Sequence, residues 1–216
     1  MSAPTVDPPA AAAIRRFCAA ARFARLAERS ARHRSPRLRL RPVALEDASP
    51  LWQATRHGDF NTWLTWPQPQ RRAELDSRVE RLVAAQKRHE ACLLSAIESA
   101  TGRWVGLYRI APDLWLAPAG WFELGMWVHP DFWGSGFAAE LHALGTTLAF
   151  AESDAPGLSA RTAEANAKAS RTLERLGFER RGDCEIAVEG AAPHAGRIYR
   201  LDRADWERAI APPAAA

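Results

Sequence analysis

Apolar and polar positions follow two different periods along this chain, and the switches between them outline its elements. In "RLRLRPV", Leu38 and Leu40 stand between arginines, which predicts a half-buried strand halted by Pro42. "LEDASPLWQATRH" predicts a short helix. "RRAELDSRVERLVAAQKRH" predicts a longer one, with Leu75, Val79, Leu82, Val83 and Gln86 on one face and Glu74 placed to pair with Arg78 at i,i+4. "ACLLSAIES" and "RWVGLYRI" are apolar runs joined by "ATG", a hairpin signal. "WFELGMWV" alternates strictly: Phe122, Leu124, Met126 and Val128 share one face, and Trp121, Glu123, Gly125 and Trp127 the other.

The period then lengthens again. After "HPDFWGSG", Phe137, Leu141, Leu144 and Leu148 recur at helical spacing, although Gly145 inside that helix costs about 1 kcal/mol relative to alanine. "LSARTAEA" predicts a strand. "NAKASRTLERLG" predicts a helix with Asn166 at its N-cap and Gly177 just past its end. "FERRGDCEIAVEG" and "RIYRLD" read as a closing antiparallel pair. The order is strand, two helices, three strands, helix, strand, helix, two strands. That is a mixed α+β domain rather than a doubly wound sheet or a barrel.

Length and composition set the limits of this picture. The chain has 216 residues, 47% hydrophobic, enough for one domain with extensions. Residues 1–13 and 207–216 are expected to be disordered ends, 14–36 an Arg-rich helical extension, and 37–206 the domain. Residues 14–35 carry seven arginines against one glutamate. They suit a solvated helix appended to the domain, an arm for an anionic surface or nucleic acid, or an organellar presequence. Cys18, Cys92 and Cys184 are odd in number and scattered, so neither a disulfide framework nor zinc spacing follows, and a reducing cytoplasm is expected. The histidines form no metal-binding cluster, and no metal is expected. No apolar run is long enough for a membrane helix. The net charge of +4 is carried almost wholly by arginine, which suits a compositional bias better than a nucleic-acid footprint, while still favouring acidic or phosphorylated ligands.

The candidate chemistry lies at "HPDFWGSGFAAEL", where Gly134 and Gly136 separate a strand from a helix. A helix N-terminus presents unpaired N–H groups and partial positive charge, and glycines let a phosphate come close to them. The other reading is a loop whose backbone angles require glycine. Among phosphate-binding designs, the nucleotide P-loop fails because Phe137-Ala138 stands where Lys-Ser/Thr is needed. The dinucleotide fingerprint is met formally by Gly134, Gly136 and Ala139, with Glu164 further on, but "HPDFW" intervenes after the strand and no further βα units follow.

A third design fits through resemblance. "ELGMWVHPDFWGSGFAAEL" resembles motif A of the GNAT acetyltransferases, with its Q/R-x-x-G-x-G/A loop; here Trp133 takes the first place, Gly136 the glycine and Ala138 the last. "W-G-x-G-Y/F-A-x-E", "NAKASRTLERLGF" and "FNTWLTWPQP" are similar to motifs of the branch containing ribosomal-protein N-terminal (RimJ/RimL-like) acetyltransferases. The resemblance covers about residues 37–206.

The resemblance implies an α+β GNAT fold, a mixed sheet of six to seven strands whose fourth and fifth strands splay apart. It implies acetyl-CoA as co-substrate, held by the backbone of Met126, Trp127 and Val128, by the loop of Trp133, Gly134, Ser135, Gly136, Phe137 and Ala138, and by Asn166. The acceptor would be a small-molecule amine or a protein N-terminal amine, attacked directly in a ternary complex. Because alkylamines are protonated at neutral pH, a base is needed. Glu123 is the candidate, against a reading as a solvated strand glutamate. The family's motif serine aligns with Ala169. Ser170, one residue on and turned by about 100°, is the candidate acid; the alternatives are a thiolate that leaves unassisted or a site that has diverged. Trp63 and Trp66 would build the acceptor wall. Homodimers occur in this branch. The rival expectation is an acyl-CoA-binding or partner-binding module that does not catalyse.

Overall fold

The computed structural model describes residues 20–114 and 117–211. Expectations for residues 1–13, for 14–19 of the Arg-rich segment and for 212–216 lie outside the described residues. The alternating runs form one seven-stranded sheet in the order β1-β2-β3-β4-β5-β7-β6. Its strands are β1 (Leu38–Pro42), β2 (Cys92–Glu98), β3 (Trp104–Pro112), β4 (Phe122–Val128), β5 (Gly157–Ala163), β6 (Glu179–Val188) and β7 (Ala191–Asp202). Every neighbouring pair is antiparallel except β4 and β5. Those two run parallel and pair at only three positions, Phe122↔Leu158, Glu123↔Ser159 and Leu124↔Ala160.

Helices cover both faces. They are α1 (helical over 20–29), α2 (Ala48–Thr55), α3 (Arg72–Lys87), α4 (Phe137–Ala151), α5 (Ala167–Arg175) and α6 (Arg203–Ile210). The even face of β4, with Phe122, Leu124 and Val128, packs with α1, α4 and α5 in the larger core. The opposite face of the sheet, through Leu93, Leu107 and Ala111, packs on Leu51 of α2 and Leu75 and Val79 of α3. Strict alternation in β4 thus assigns its two faces to two cores.

Four expectations are corrected. The Arg-rich helix is no solvated appendage: Phe23 and Leu26 of α1 are fully buried, and Phe23 lies 5.0 Å from the Phe122 ring. The C-terminal boundary at 206 falls inside α6, which continues to Ile210. Strand β7 begins at Ala191, before the apolar run that signalled it, because β6 pairs with it from the hairpin turn onward. Glu74 and Arg78 take other partners: Glu74 binds Arg71 at the start of α3, and Arg78 reaches Glu189 in the β6–β7 turn.

Gly145, costly in an isolated helix, has a tertiary reason. A Cβ there would lie 2.2 Å from the ring of Tyr108, which is fully buried and bonded through its hydroxyl to His142 Nδ1 at 3.0 Å. Gly106 is equally constrained, since a Cβ there would stand 2.3 Å from the Trp127 carbonyl oxygen. That contact sets how closely β3 and β4 approach beside the splay.

Candidate active site

Beyond Leu124 and Ala160 the two parallel strands part, and β4 keeps only its β3 partner. Its free edge can be read from the ladder. His129 N–H donates to Val105 O at 2.7 Å, and bonded pairs alternate along an antiparallel ladder. In the register Gly106↔Val128, the Trp127–Leu107 pair is therefore bonded, and Met126 and Val128 turn their N–H and C=O groups away from β3 into the gap. One of these groups is occupied: the Trp133 indole Nε1–H donates to Val128 O at 2.8 Å.

The glycine loop stands at the end of this edge. His129, whose Nδ1 accepts from Asp131 N–H, caps a short turn over Pro130–Phe132, and the chain then passes Gly134 at φ 75° and Gly136 at φ 85°. Both are in the left-handed region that glycine enters without strain. A Cβ on Gly134 would meet nothing within 4 Å, and one on Gly136 would meet only Arg37 Nη2, at 3.4 Å. Gly136 is the N-cap of α4 and provides no side chain, so the first amides of that helix, from Phe137 onward, have no capping partner. Open space, left-handed glycines and uncapped amides fit an anionic diphosphate.

Two residues that sequence reasoning missed hold this loop. Arg37, just before β1, donates from Nη1 to Ser135 O at 3.0 Å and from Nε to Glu140 Oε2 at 2.6 Å, and its guanidinium lies 4.1 Å over the Phe137 ring. Glu140, in the first turn of α4, also accepts from Ser35 Oγ at 2.6 Å and from Arg37 N–H at 3.0 Å. Burial would raise its carboxyl, but these hydrogen bonds outweigh it and hold the pKa below the usual carboxylate value. The only local signal was the glutamate ending the "W-G-x-G-F-A-x-E" pattern.

Asn166 N-caps α5, its Oδ1 accepting from Ala169 N–H at 3.2 Å. Its Nδ2 has no hydrogen-bond partner among the described residues. Ser170, one turn further along α5, is buried, and its Oγ also lacks a partner among the described residues.

Glu123 is not a simple solvated strand glutamate. Its side chain is 13% exposed, its Oε1 accepts from Arg161 Nε at 2.6 Å, and its Oε2 accepts from Arg109 Nη1 at 3.2 Å. It lies on the same face of β4 as Trp127. The two expected wall residues part company. Trp66 is buried edge-on to Trp127, with ring centroids 6.3 Å apart and Arg78 lying over its own ring. Trp63 is 40% exposed and stands edge-on to His194. A cavity of about 220 Å³ lies between Trp63, His194, Glu164 and Ala163, at the open end of β5.

Comparison with known proteins agrees with this architecture. Among solved structures, a GCN5-related N-acetyltransferase from Brucella melitensis superposes with a TM-score of 0.67 at 21% identity, over 81% of this chain and 79% of that one. The ribosomal L7/L12 α-N-protein acetyltransferase RimL, solved with coenzyme A, gives 0.66 at 17% identity over 80% and 97%. A chimera of the spermidine N-acetyltransferase SpeG from Vibrio cholerae and hSSAT gives 0.63 at 17% over 78% and 97%. At such identities these structures share the fold. The sequence profile of the acetyltransferase (GNAT) domain matches residues 37–179, from the arginine that braces the glycine loop to the start of β6. By that match the chain belongs to the GNAT acetyltransferase family.

Proposed function

We propose that this chain transfers an acetyl group from acetyl-CoA to a primary amine, a protein N-terminal α-amine or a small molecule, by direct attack in a ternary complex. The observation that carries the reading is the β4–β5 gap: backbone groups of Met126 and Val128 turn into it, and the uncapped amides of α4 stand at its end. Loop amides between Gly134 and Ala138 would hold the diphosphate, the β4 edge would pair with the pantetheine arm, and Asn166 Nδ2 is free to donate to it. Acetyl-CoA, when bound, supplies the acetyl group as a thioester whose C–S bond breaks as the amine's N–C bond forms. An N–H of Met126 or Val128 is the donor suited to polarise the carbonyl.

Glu123 takes the amine's proton, directly or through water, on a lone pair that its arginine partners leave free. Those guanidinium groups also disfavour a second cation beside them, which biases the bound amine toward its neutral, nucleophilic form. The unpartnered Ser170 hydroxyl is the candidate donor to the departing thiolate. Trp63 and the cavity beside it would take the acceptor. The free thiols of Cys92 and Cys184 accord with a reducing cytoplasm.

A second reading has its own support. Glu123 has both oxygens engaged, and alanine occupies the motif-serine position at 169. Both are features expected of a module that binds acyl-CoA without catalysis. Thiol release with acetyl-CoA and an amine panel separates the two. The enzyme reading expects turnover, and a Glu123→Gln rate about 10²-fold or more below wild type. Binding of acetyl-CoA without acetylation of any amine would favour the module.

A further inference from the structure

The row of side chains where the gap begins narrows the acceptor. On β3, Arg109 stands opposite Gly125 of β4, and Arg161 of β5 lies one position beyond the last β4–β5 pair. All three face the same side of the sheet, since both arginines reach Glu123. The middle position has no side chain, and a Cβ built on Gly125 would meet nothing within 4 Å. The site therefore has open space with a guanidinium on each side, at the first level where the strands have parted.

Most of the hydrogen-bond donors there are unused. Each guanidinium carries five N–H donors. Arg109 gives one, from Nη1, to Glu123, and Arg161 gives one, from Nε. The remaining donors have no partner among the described residues, and the two side chains are 41% and 30% exposed. One carboxylate thus serves two cations. Of the neighbouring acids, Glu164 binds Arg197, Glu189 binds Arg78 and Asp183 binds Arg180, while Asp113, buried on the same face, accepts from Ser159 Oγ; among the described residues neither Arg109 nor Arg161 bonds to any of them. A polycationic acceptor would meet two guanidinium groups here.

We infer that the acceptor is a primary amine that also carries an anion, a carboxylate or a phosphate, within a few bonds of the nitrogen, and that Arg109 and Arg161 hold this anion above Gly125. The inference rests on the acetyltransferase reading and adds the substrate class. Guanidinium forks match the planar oxygens of either anion. The same contacts would orient the amine relative to Glu123, which lies on the same face.

The test is steady-state thiol release with acetyl-CoA and tripeptides that share an N-terminal residue and differ at the second position. That position is aspartate, glutamate or phosphoserine in the anionic arms, asparagine, glutamine or serine in the neutral arms, and lysine in the cationic arm; spermidine is tested beside them. The expected result is a kcat/KM about tenfold or more higher for an anionic member than for its neutral counterpart, the size of one charge-assisted contact. The carboxylate and phosphoserine arms show which anion is preferred. Added salt should raise KM for the anionic members more than for the neutral ones. Arg109→Gln should cut the anionic-over-neutral ratio by about tenfold, with folding checked by thermal melt; the salt series needs no variant. Equal use of anionic and neutral members, or preference for lysine or spermidine, overturns the inference while leaving the enzyme reading intact. Tight acetyl-CoA binding with no acetylation in any arm overturns both.

Discussion

Gly134 offers a way to separate the two reasons a loop can need glycine. If it serves only the left-handed turn, at φ 75°, then any residue that tolerates that conformation should replace it. Asparagine does so at little cost, whereas for a β-branched residue the region is a genuine outlier, costing roughly 1–2 kcal/mol or more. A Cβ there would meet nothing within 4 Å, so neither substitution is crowded at Cβ. Gly134→Val should therefore lower Tm by about 2–4 °C per kcal/mol of strain, and Gly134→Asn should leave it near wild type. Coenzyme A binding should behave differently. Under the cradle reading a side chain at 134 crowds the diphosphate, and losing one charge-assisted contact to it costs about 1.5–3 kcal/mol. Titration calorimetry should then show coenzyme A binding to Gly134→Asn weakened by roughly 10- to 100-fold. The stabilisation that saturating coenzyme A confers in thermal melts should shrink in step. An asparagine variant with both wild-type stability and wild-type coenzyme A affinity would refute the cradle and leave a turn.

Asn166→Asp keeps a capping oxygen for Ala169 N–H but removes the free Nδ2; urea denaturation should stay near wild type while the acetyl-CoA KM rises. Gly145→Ala gains about 1 kcal/mol of helix propensity but drives a methyl group into the Tyr108 ring; overpacking of about 1–3 kcal/mol should win, lowering the urea midpoint. For pH, burial acts to raise the carboxyls of Glu140 and Asp154, but hydrogen bonds from Ser35 and Arg37 to the first and from Arg22 to the second leave both below their ordinary values; a bond from His33 does the same for Glu152. Depressed carboxyls contribute stability that is complete above their unfolded values near pH 4 and is lost as pH falls through the folded ones. The urea midpoint should thus drop between about pH 5 and 3, and Glu140→Gln should reduce that drop.

Elements whose signal is local were legible in the sequence. The alternation in "WFELGMWV" assigned β4 its two faces, and Asn166 and Gly177 bracket α5 as their backbone roles require. What stayed hidden depends on partners distant in the chain. Phe23 and Leu26, two apolar residues amid arginines, make a weak helical stripe, and only the assembled sheet shows the core they enter. Glu74 and Arg78 stand at the correct spacing, but Arg71 and Glu189 compete for them, and Glu189 arrives through a hairpin more than a hundred residues on. Arg37 and Glu140 are 103 positions apart. Glu123 was legible as a strand residue on the face opposite the apolar row, but its two arginine partners come from different strands and depend on sheet order.

Trp133 connects these two levels. It stands where the family's loop pattern has glutamine or arginine, and by sequence alone it looked like a departure. In the fold, a parallel pair that stops after Leu124 leaves the gap-facing edge of β4 without its neighbour, and unpaired backbone groups are costly wherever water is excluded. The indole satisfies one of them, Val128 O, and leans edge-on against His57 with ring centroids 5.1 Å apart. The groups left for another partner are Val128 N–H and both polar groups of Met126. These form a short strand edge with a donor at its far end and an acceptor and donor before it, a pattern an extended amide-bearing arm can pair with. The same indole that departs from the loop pattern therefore narrows where such an arm can bond along β4. Trp133→Phe, which keeps the ring and removes the donor, should consequently alter acetyl-CoA affinity rather than fold stability.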